Sequence, residues 1–222
     1  MHFNFFVVAN SWQILAHGAV TTFLSCCLSL ALGIVLGAVL CWGKMQGSGP
    51  LYRVSVIVIE TFRTIPELIP IFWIYTCVPF IFDVKLSAFS SGILALTLCS
   101  GAFLAEIFRT GILAIPKGQY EACTALSIPT IKKWKTVIIP QAVKVVFPAF
   151  VNFTSDLVKI SSLLSTIGIA DLAYQASVIT GENYRYLEIY TLAAVYYLIM
   201  IVPLSLYGRY CENRSKKHMA RT

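Results

Sequence analysis

Long apolar segments separated by short polar stretches constrain this chain more than any other feature. About 20 apolar residues in a helix cross a hydrocarbon core that is ~30 Å thick. Five segments reach that length, at residues 19–42, 54–82, 88–108, 145–164 and 187–206. Apolar residues make up 58% of the 222 residues and charged residues only 12%, and the mean hydropathy is +0.77. We therefore predict an all-α integral membrane protein with five transmembrane helices.

Two of the five segments contain residues that lipid does not tolerate. The fourth holds Asp156 and Lys159. The second is interrupted by charges and prolines, namely Glu60, Arg63, Pro66, Glu67, Pro70 and Pro79. Charged groups and broken helices at membrane depth must face protein or a water-filled path. Both segments are therefore expected to face the interior of an assembly.

Basic residues predict the orientation of the chain. With five spans, 13 Lys and Arg residues fall on one side of the membrane and two, Lys85 and Arg185, on the other. The positive-inside rule then places the N-terminus outside and the C-terminus in the cytosol. Residues 1–18 carry no Lys or Arg, so they do not resemble a secretory signal and are expected to form an outer interfacial segment. Residues 209–222 form a basic cytosolic tail, and the net charge of +7 does not indicate nucleic-acid binding.

A basic stretch at residues 117–144 predicts two short helices around a break. Apolar and small residues recur there at helical spacing, first as Ala122, Ala125 and Leu126 and then as Trp134, Val137 and Ile138. Pro129 ends the first helix, Thr130 caps the second, and Pro140 ends it. This pattern alone allows two interpretations, a hairpin that docks into a groove of another protein and an amphipathic hairpin that lies on anionic lipid.

Three acid and base pairs occur three residues apart. They are Glu60 with Arg63, Glu106 with Arg109, and Asp156 with Lys159, and one helical turn brings each pair together. Glu106 and Arg109, at the cytosolic end of a span, are interpreted as a structural clamp. Lys159 lies about mid-membrane, so the candidates for a substrate path are Asp156, Lys159, Ser161 and Ser162. A purely intramolecular ion pair is the alternative for Asp156 and Lys159.

Other motifs are weak or missing. No phosphate-binding GxxxxGK[ST] loop, metal-ligand spacing or catalytic constellation occurs, so no catalytic residue, metal site or cofactor is predicted for this chain. The seven cysteines have no CxxC spacing and are interpreted as small apolar packing residues. Gly33 and Gly37 form a GxxxG with Ser29 one step earlier, which indicates either a seam between molecules or chance glycines.

The basic stretch resembles the EAA signature of permease subunits of ATP-binding-cassette importers. The matching residues are Glu121, Ala122, Ala125, Leu126, Pro140, Gln141 and Ala142. Ser127 stands where that family has Gly, a residue favoured after a helix because the chain turns there through a left-handed conformation. The resemblance implies that residues 117–142 form a coupling loop, in which Glu121, Ala122, Ala125, Leu126 and Ser127 contact an ATPase subunit.

Further stretches are similar to the polar amino acid branch of that family, the permeases for histidine, glutamine, arginine and glutamate. Residues 59–75 share Glu60, Arg63 and Pro66, and residues 103–122 share Glu106 and Arg109 among others. Residues 157–172 keep Lys159 and Ser162 but have Ile160 in place of an Asp. The resemblance covers residues 19–208 in matching order.

The resemblance implies a type I importer permease in the bacterial cytoplasmic (inner) membrane. The expected function is to form the translocation path of an ATP-driven amino acid import system. The expected partners are ATPase subunits that use ATP and Mg²⁺, a second permease that is a copy or a sibling, an extracytoplasmic amino-acid-binding protein, and membrane lipid. The chain itself is not expected to be an enzyme. An ion-gradient-driven transporter or channel is the alternative, although such a carrier has no reason to keep the EAA-like loop.

Overall fold

A computed structural model describes residues 5–219, and over that range every regular element is a helix. The nine α-helices are α1 Phe5–Met45, α2 Pro50–Thr64, α3 Leu68–Phe82, α4 Ala88–Leu113, α5 Lys117–Ala125, α6 Thr130–Lys133, α7 Ile139–Ile160, α8 Leu172–Asn183 and α9 Tyr186–Met219. A π-helical segment, Trp134–Ile138, joins α6 to α7, and a 3₁₀ segment, Ser161–Ile167, follows α7. The predicted all-helical class is confirmed.

Four stretches in the described part of the chain are long and apolar enough to cross a membrane. They are Ser11–Met45, Ala88–Leu113, Thr130–Ile167 and Tyr186–Cys211. The predicted second span is instead the pair α2 and α3, which meet at a bend of 115°. The total is four spans, or five if the bent pair crosses as one, so the count of five stays a prediction.

The two predicted end segments are continuous with helices. Residues 5–18 of the expected outer segment lie in α1, which runs on without a break, and residues 209–219 of the basic tail lie in α9. Residues 1–4 and 220–222 of these segments lie outside the described residues. The boundaries at residues 18 and 209 therefore stay predictions.

Proline chemistry explains the bend between α2 and α3. Pro66 has no amide hydrogen, and its ring forces the preceding residue out of the helical region. Ile65 accordingly has φ −78° and ψ 133°, which ends α2. Ile59 of α2 shares a packed cluster with Ala105, and Ile71 of α3 shares one with Ala95. The bent pair therefore runs along α4 from near its C-terminal end toward its start.

Small residues let α1 and α4 approach closely. A Cβ atom on Gly33 would collide with Ser100, and one on Gly37 would lie 2.9 Å from Leu104 Cβ and 3.1 Å from the Gly101 carbonyl. Ser100 Oγ donates to the Ser29 carbonyl at 3.3 Å. The GxxxG stripe is thus a seam within the molecule, and the expected seam between molecules is not what these glycines form. Close backbone contact of this kind is how helices associate where lipid removes the hydrophobic drive.

The same helix α1 also holds α8. A Cβ atom on Gly18 would lie 2.9 Å from both the Asp171 carbonyl and Leu172 Cα. Thr22 Oγ1 accepts a hydrogen bond from the Leu172 amide at 3.1 Å. Asp171 is fully buried and caps α8 by accepting from the Tyr174 amide at 2.8 Å. The start of α8 is therefore fixed against α1.

Replacing Gly37 with Ala tests the α1–α4 seam. The new methyl group has no room beside Leu104 and Gly101, so the free energy of unfolding should fall by about 1 to 3 kcal/mol. Thermal unfolding in detergent measures the change. Gly181→Ala in α8 is the matched control, because nothing lies within 4 Å of its Cβ position, and it should be neutral or stabilising by up to ~1 kcal/mol. Equal effects of the two substitutions would contradict the seam.

Candidate functional site

The break in the basic hairpin has the geometry that its sequence predicts. Ser127 has φ +50°, in the left-handed region. Its amide donates to the Thr124 carbonyl at 3.0 Å, and the Ile128 amide donates to the Cys123 carbonyl at 2.9 Å. These two bonds form a Schellman motif, which satisfies the last carbonyls of α5. The left-handed turn predicted at Ser127 is confirmed.

Two details of the second half of the hairpin were predicted wrongly. Thr130 is not the cap of α6 but its first residue, and the N-cap is Pro129, whose extended backbone precedes the helix. The helix also does not end at Pro140, which lies in the first turn of α7. The π-helical segment comes directly before α7, and the Ile139 amide donates to the Trp134 carbonyl five residues back. A wide turn of this kind moves the carbonyl that a proline ring would otherwise strike.

The small apolar face of α5 is not covered by any other described part of the chain. Glu121, Ala122 and Ala125 are exposed, and Cys123 is the buried residue of this helix. Leu126 is 73% exposed, and Ile131 of α6 is 82% exposed. An exposed apolar patch of this kind, rimmed by polar residues, marks a contact surface for a protein or a membrane.

Aromatic and amide contacts tie the hairpin to α4 and α7. The rings of Tyr120 and Trp134 meet edge to face with centroids 6.5 Å apart. Burial raises the pKa of the Tyr120 phenol, which keeps its proton and donates to the Ile112 carbonyl at 3.4 Å. Gln141 Nε2 donates to Gln119 Oε1 at 3.3 Å. These contacts connect α5 to both spans.

A charge cluster joins α1, α2 and α4 near the hairpin. Lys44 Nζ lies 2.6 Å from Glu106 Oε1 and 2.9 Å from Glu60 Oε1. Arg109 Nη2 lies 3.0 Å from Glu106 Oε2, so this predicted pair forms. The Glu60–Arg63 pair was predicted wrongly, because Glu60 turns to Lys44 instead. A partner for Lys44 was not predicted from the sequence. The available signal was its position in the last turn of the first span, with an acid in each of the next two spans, Glu60 and Glu106.

The bend between α2 and α3 carries two charges outside this cluster. Arg63 is exposed, and its guanidinium carbon lies 5.8 Å from the centre of the Phe103 ring. Phe103 in turn stacks on Phe153 of α7, with centroids 5.6 Å apart. Half-buried Glu67 is the N-cap of α3. Within the described residues neither Arg63 nor Glu67 takes part in an ion pair.

The polar residues of α7 form an exposed stripe. Lys159 Nζ lies 2.9 Å from Asp156 Oδ1, as predicted, and both side chains are 59% exposed. Asn152, one turn earlier, is exposed as well. Ser162 is half-buried and donates to the Lys159 carbonyl at 2.7 Å. Ser161 is fully buried and donates to the Val158 carbonyl at 2.8 Å, so the structure does not bring it to the stripe.

Within residues 5–219 no group of three or more His, Cys, Asp or Glu side chains is placed to hold a metal ion. Four of the seven cysteines, Cys26, Cys41, Cys99 and Cys123, are buried as free thiols. Cys41 packs in an apolar cluster with Ile59 and Ala105, and Cys26 Sγ donates to the Leu157 carbonyl at 3.9 Å.

Comparison with known proteins identifies the class of this chain. The sequence model of one family, described as "Binding-protein-dependent transport system inner membrane component", matches residues 29–217. The chain belongs to this family. The predicted resemblance to importer permeases is confirmed.

Individual relatives cover nearly the whole permease chain. It is 34% identical to a putative glutamine transport system permease protein of Rickettsia felis, over 90% of this chain and 92% of the relative. It is 33% identical to the glutamine transport system permease protein of Escherichia coli, with 97% and 99% covered. It is 31% identical to the arginine transport system permease protein of Bacillus subtilis, with 98% and 100% covered.

Solved structures support the fold of the permease. A crystal structure of an amino acid ABC transporter with histidines matches with a TM-score of 0.88 and 33% identity, over 96% of this chain and 100% of that one. An inward-facing methionine ABC transporter matches with a TM-score of 0.69 at 19% identity, over 95% and 97% of the two chains, which supports the fold alone. The permease therefore has the helical architecture of an ABC importer subunit.

Replacing Ser127 with Gly tests the turn that ends α5. Glycine adopts the left-handed conformation without the cost of roughly 1 kcal/mol that a Cβ atom adds. Amide hydrogen exchange of the donors at Ser127 and Ile128 should slow about fivefold. Thr124→Gly, inside α5, is the control and should speed the same exchange because glycine weakens a helix interior. Faster exchange in Ser127→Gly would contradict the turn geometry.

Proposed function

We propose that this permease forms the translocation path of an ATP-driven amino acid importer. The observation that carries the proposal is the uncovered apolar face of α5, which coincides with the EAA-like residues in a chain of this family. The glutamine, arginine and histidine named for its relatives favour a polar amino acid as substrate. An ion-gradient-driven carrier would gain nothing from a protruding hairpin of this kind.

The hairpin is the proposed contact with the ATPase. Ala122, Ala125 and Leu126 would enter a groove of an ATPase subunit, Glu121 would lie at its rim, and Ser127 would set the angle of the turn. The ATPase subunits bind ATP and Mg²⁺, and this chain binds neither. Closure of the ATPase pair would move α5, and the contacts of Tyr120 with Ile112 and Trp134 would pass that movement to α4 and α7.

The exposed stripe on α7 supports a second permease subunit. A charge at the bilayer centre costs ~2.5 to 3.5 kcal/mol, so Asp156 and Lys159 do not face lipid. They would face the second permease, a copy or a sibling of this chain, across a water-filled path. An extracytoplasmic amino-acid-binding protein would deliver the substrate to the outer end of that path.

The charges around the bend suggest how the path recognises its substrate. An amino acid carries one carboxylate and one ammonium group. Arg63 is free to meet the carboxylate, and Glu67 or Asp156 the ammonium. The stacked pair Phe103 and Phe153 spans the distance between the bend and α7. Ser162 would line the path beside Lys159, whereas buried Ser161 leaves the proposed set.

The Lys44 cluster has a proposed structural role. It joins the inner ends of α1, α2 and α4 through Glu60, Glu106 and Arg109. Removing one partner from a part-buried cluster strands the others, which is costly. The cluster would keep these three helices together as a single body while the hairpin moves.

Cysteine labelling tests the proposed orientation in the bacterial inner membrane, with the N-terminus outside and the C-terminus in the cytosol. Gly118 in α5 and Gly181 in α8 are both exposed, and nothing lies within 4 Å of either Cβ position. In a cysteine-free background, Gly118→Cys should react with an impermeant maleimide only from the cytosolic side and Gly181→Cys only from outside. Reaction of both from one side would rule out the five-span topology.

A charge on the α5 face tests the contact with the ATPase. Ala125→Glu should abolish copurification of the ATPase subunit, because burying an unpaired carboxylate costs several kcal/mol. The matched control is Ala114→Glu, at an exposed position at the end of α4, and it should leave copurification unchanged. Normal copurification with Ala125→Glu would instead favour a hairpin that lies on lipid.

Three variants of the exposed ion pair separate a path from a scaffold. Lys159→Met, Asp156→Asn and the double variant should all lose most uptake and keep their thermal stability in detergent. An exposed ion pair contributes only ~0 to 1 kcal/mol to stability. A structural pair would behave differently, since each single variant would lower the unfolding temperature and the double variant would recover it. Full transport by the double variant would exclude a role in the path.

A further inference from the structure

An apolar cavity of about 590 Å³ lies beside the hairpin, and the proposed coupling does not use it. Its walls come from the last turns of α1, the end of α4 and the segment from Trp134 into α7. Gln46, at the end of α1, is a polar residue among mostly apolar lining side chains that include Trp42, Phe108 and Val143. The volume lies in the range of sites that bind small molecules, and a lipid acyl chain is of similar size.

The cavity opens sideways through exposed apolar side chains. Trp42 is 62% exposed, Val143 53% and Ile139 49%. These residues belong to helices that cross the membrane, so the opening faces the hydrocarbon region at its cytosolic end, on the proposed orientation. Trp134, which touches Tyr120 of α5, forms part of the wall. A molecule in the cavity would therefore contact Trp134, the residue against which Tyr120 of the hairpin packs.

The chemistry of the walls selects the occupant. Water is poorly held in an apolar cavity because it needs two to four polar partners. An amino acid would leave both of its charges unpaired there. An acyl chain needs no partner and is present in the adjoining bilayer.

Basic residues that precede Ile139 and Val143 along the chain select the headgroup, although none of them lines the cavity itself. Lys135 lies four residues before Ile139 and eight before Val143, about one and two turns along a path that is π-helical up to Ile138 and α-helical from Ile139. Lys132 and Lys133 precede it, and among the described ion pairs none includes any of these lysines. Clusters of lysine at the cytosolic side of membrane helices attract anionic lipid headgroups.

We propose that this cavity binds an anionic phospholipid of the cytosolic leaflet. One acyl chain lies against Trp42, Phe108 and Val143, and the phosphate lies against Lys132, Lys133 and Lys135. The lipid is wedged between α1 and the hairpin, so its presence holds Trp134 in place. Transport coupling thereby depends on the charge of the surrounding lipid.

Photo-crosslinking in the assembled transporter, in native membranes, identifies the occupant. A benzoylphenylalanine at Val143 should give phospholipid adducts by mass spectrometry, enriched severalfold in anionic over zwitterionic headgroups. The reference is the same probe at Leu206 of α9, which is 60% exposed and does not line the cavity. A peptide adduct at Val143 would mean that a protein segment fills the cavity, and an anionic fraction equal to that at Leu206 would mean ordinary bilayer contact. Either result overturns the proposal.

Charge variants test the headgroup contact in the same assay. Each Lys→Gln change among Lys132, Lys133 and Lys135 should lower the anionic enrichment at Val143, by up to about fivefold, and leave the ratio at Leu206 unchanged. Lys135→Arg keeps the charge and should keep the enrichment, which guards against a folding defect. Unchanged enrichment in all three Gln variants would overturn the assignment of these lysines. Labelling at Gly118 tests the orientation separately.

Discussion

Close backbone approach to α1 is the constraint on which the rest of the structure depends. In a bilayer, helices gain nothing by hiding apolar surface from lipid, so packing at short range must hold them together. Three neighbours meet α1 at a glycine, with Gly18 against α8, Gly33 and Gly37 against α4, and Gly43 against Ser55 of α2. One helix thus positions α8, α4 and the first half of the bent pair, α2.

The charges in the spans divide into two groups by exposure. Glu106 is largely buried, and Lys44 and Arg109 neutralise it near the C-terminal ends of α1 and α4, where Lys44 also pairs with Glu60 of α2. Asp156 and Lys159 form an equally short pair but are more than half exposed, and Arg63 has no acidic partner among the described residues. A part-buried cluster whose opposite charges pair with one another is suited to holding the fold. Exposed or unsaturated charges at membrane depth need a partner or a substrate, and this difference underlies the assignment of the path.

Features that depend on a short sequence pattern could be predicted from the sequence. Features that depend on contacts between distant parts of the chain could not. The pair Glu106–Arg109 follows from its spacing of one helical turn, and the left-handed turn at Ser127 follows from the Gly that the similar family has there; both form. The Glu60–Arg63 pair obeys the same spacing rule yet does not form, because Lys44, distant in sequence, lies 2.9 Å from Glu60. Pro140 was wrongly predicted to end a helix. The π-helical turn that accommodates its ring has no recognisable pattern in the sequence. Burial of Ser161 beside half-buried Ser162 likewise depends on how the 3₁₀ segment is oriented.

The central claim is that ATP, used by a partner, drives an amino acid through this chain. Proteoliposomes containing the permease, its ATPase and its binding protein test it most directly, with radiolabelled L-glutamine and L-arginine as substrates. We expect uptake that needs ATP on the side of the hairpin, needs the binding protein, and continues when ionophores dissipate sodium and proton gradients. Uptake by the permease alone, driven by an imposed ion gradient without ATP, would contradict the account.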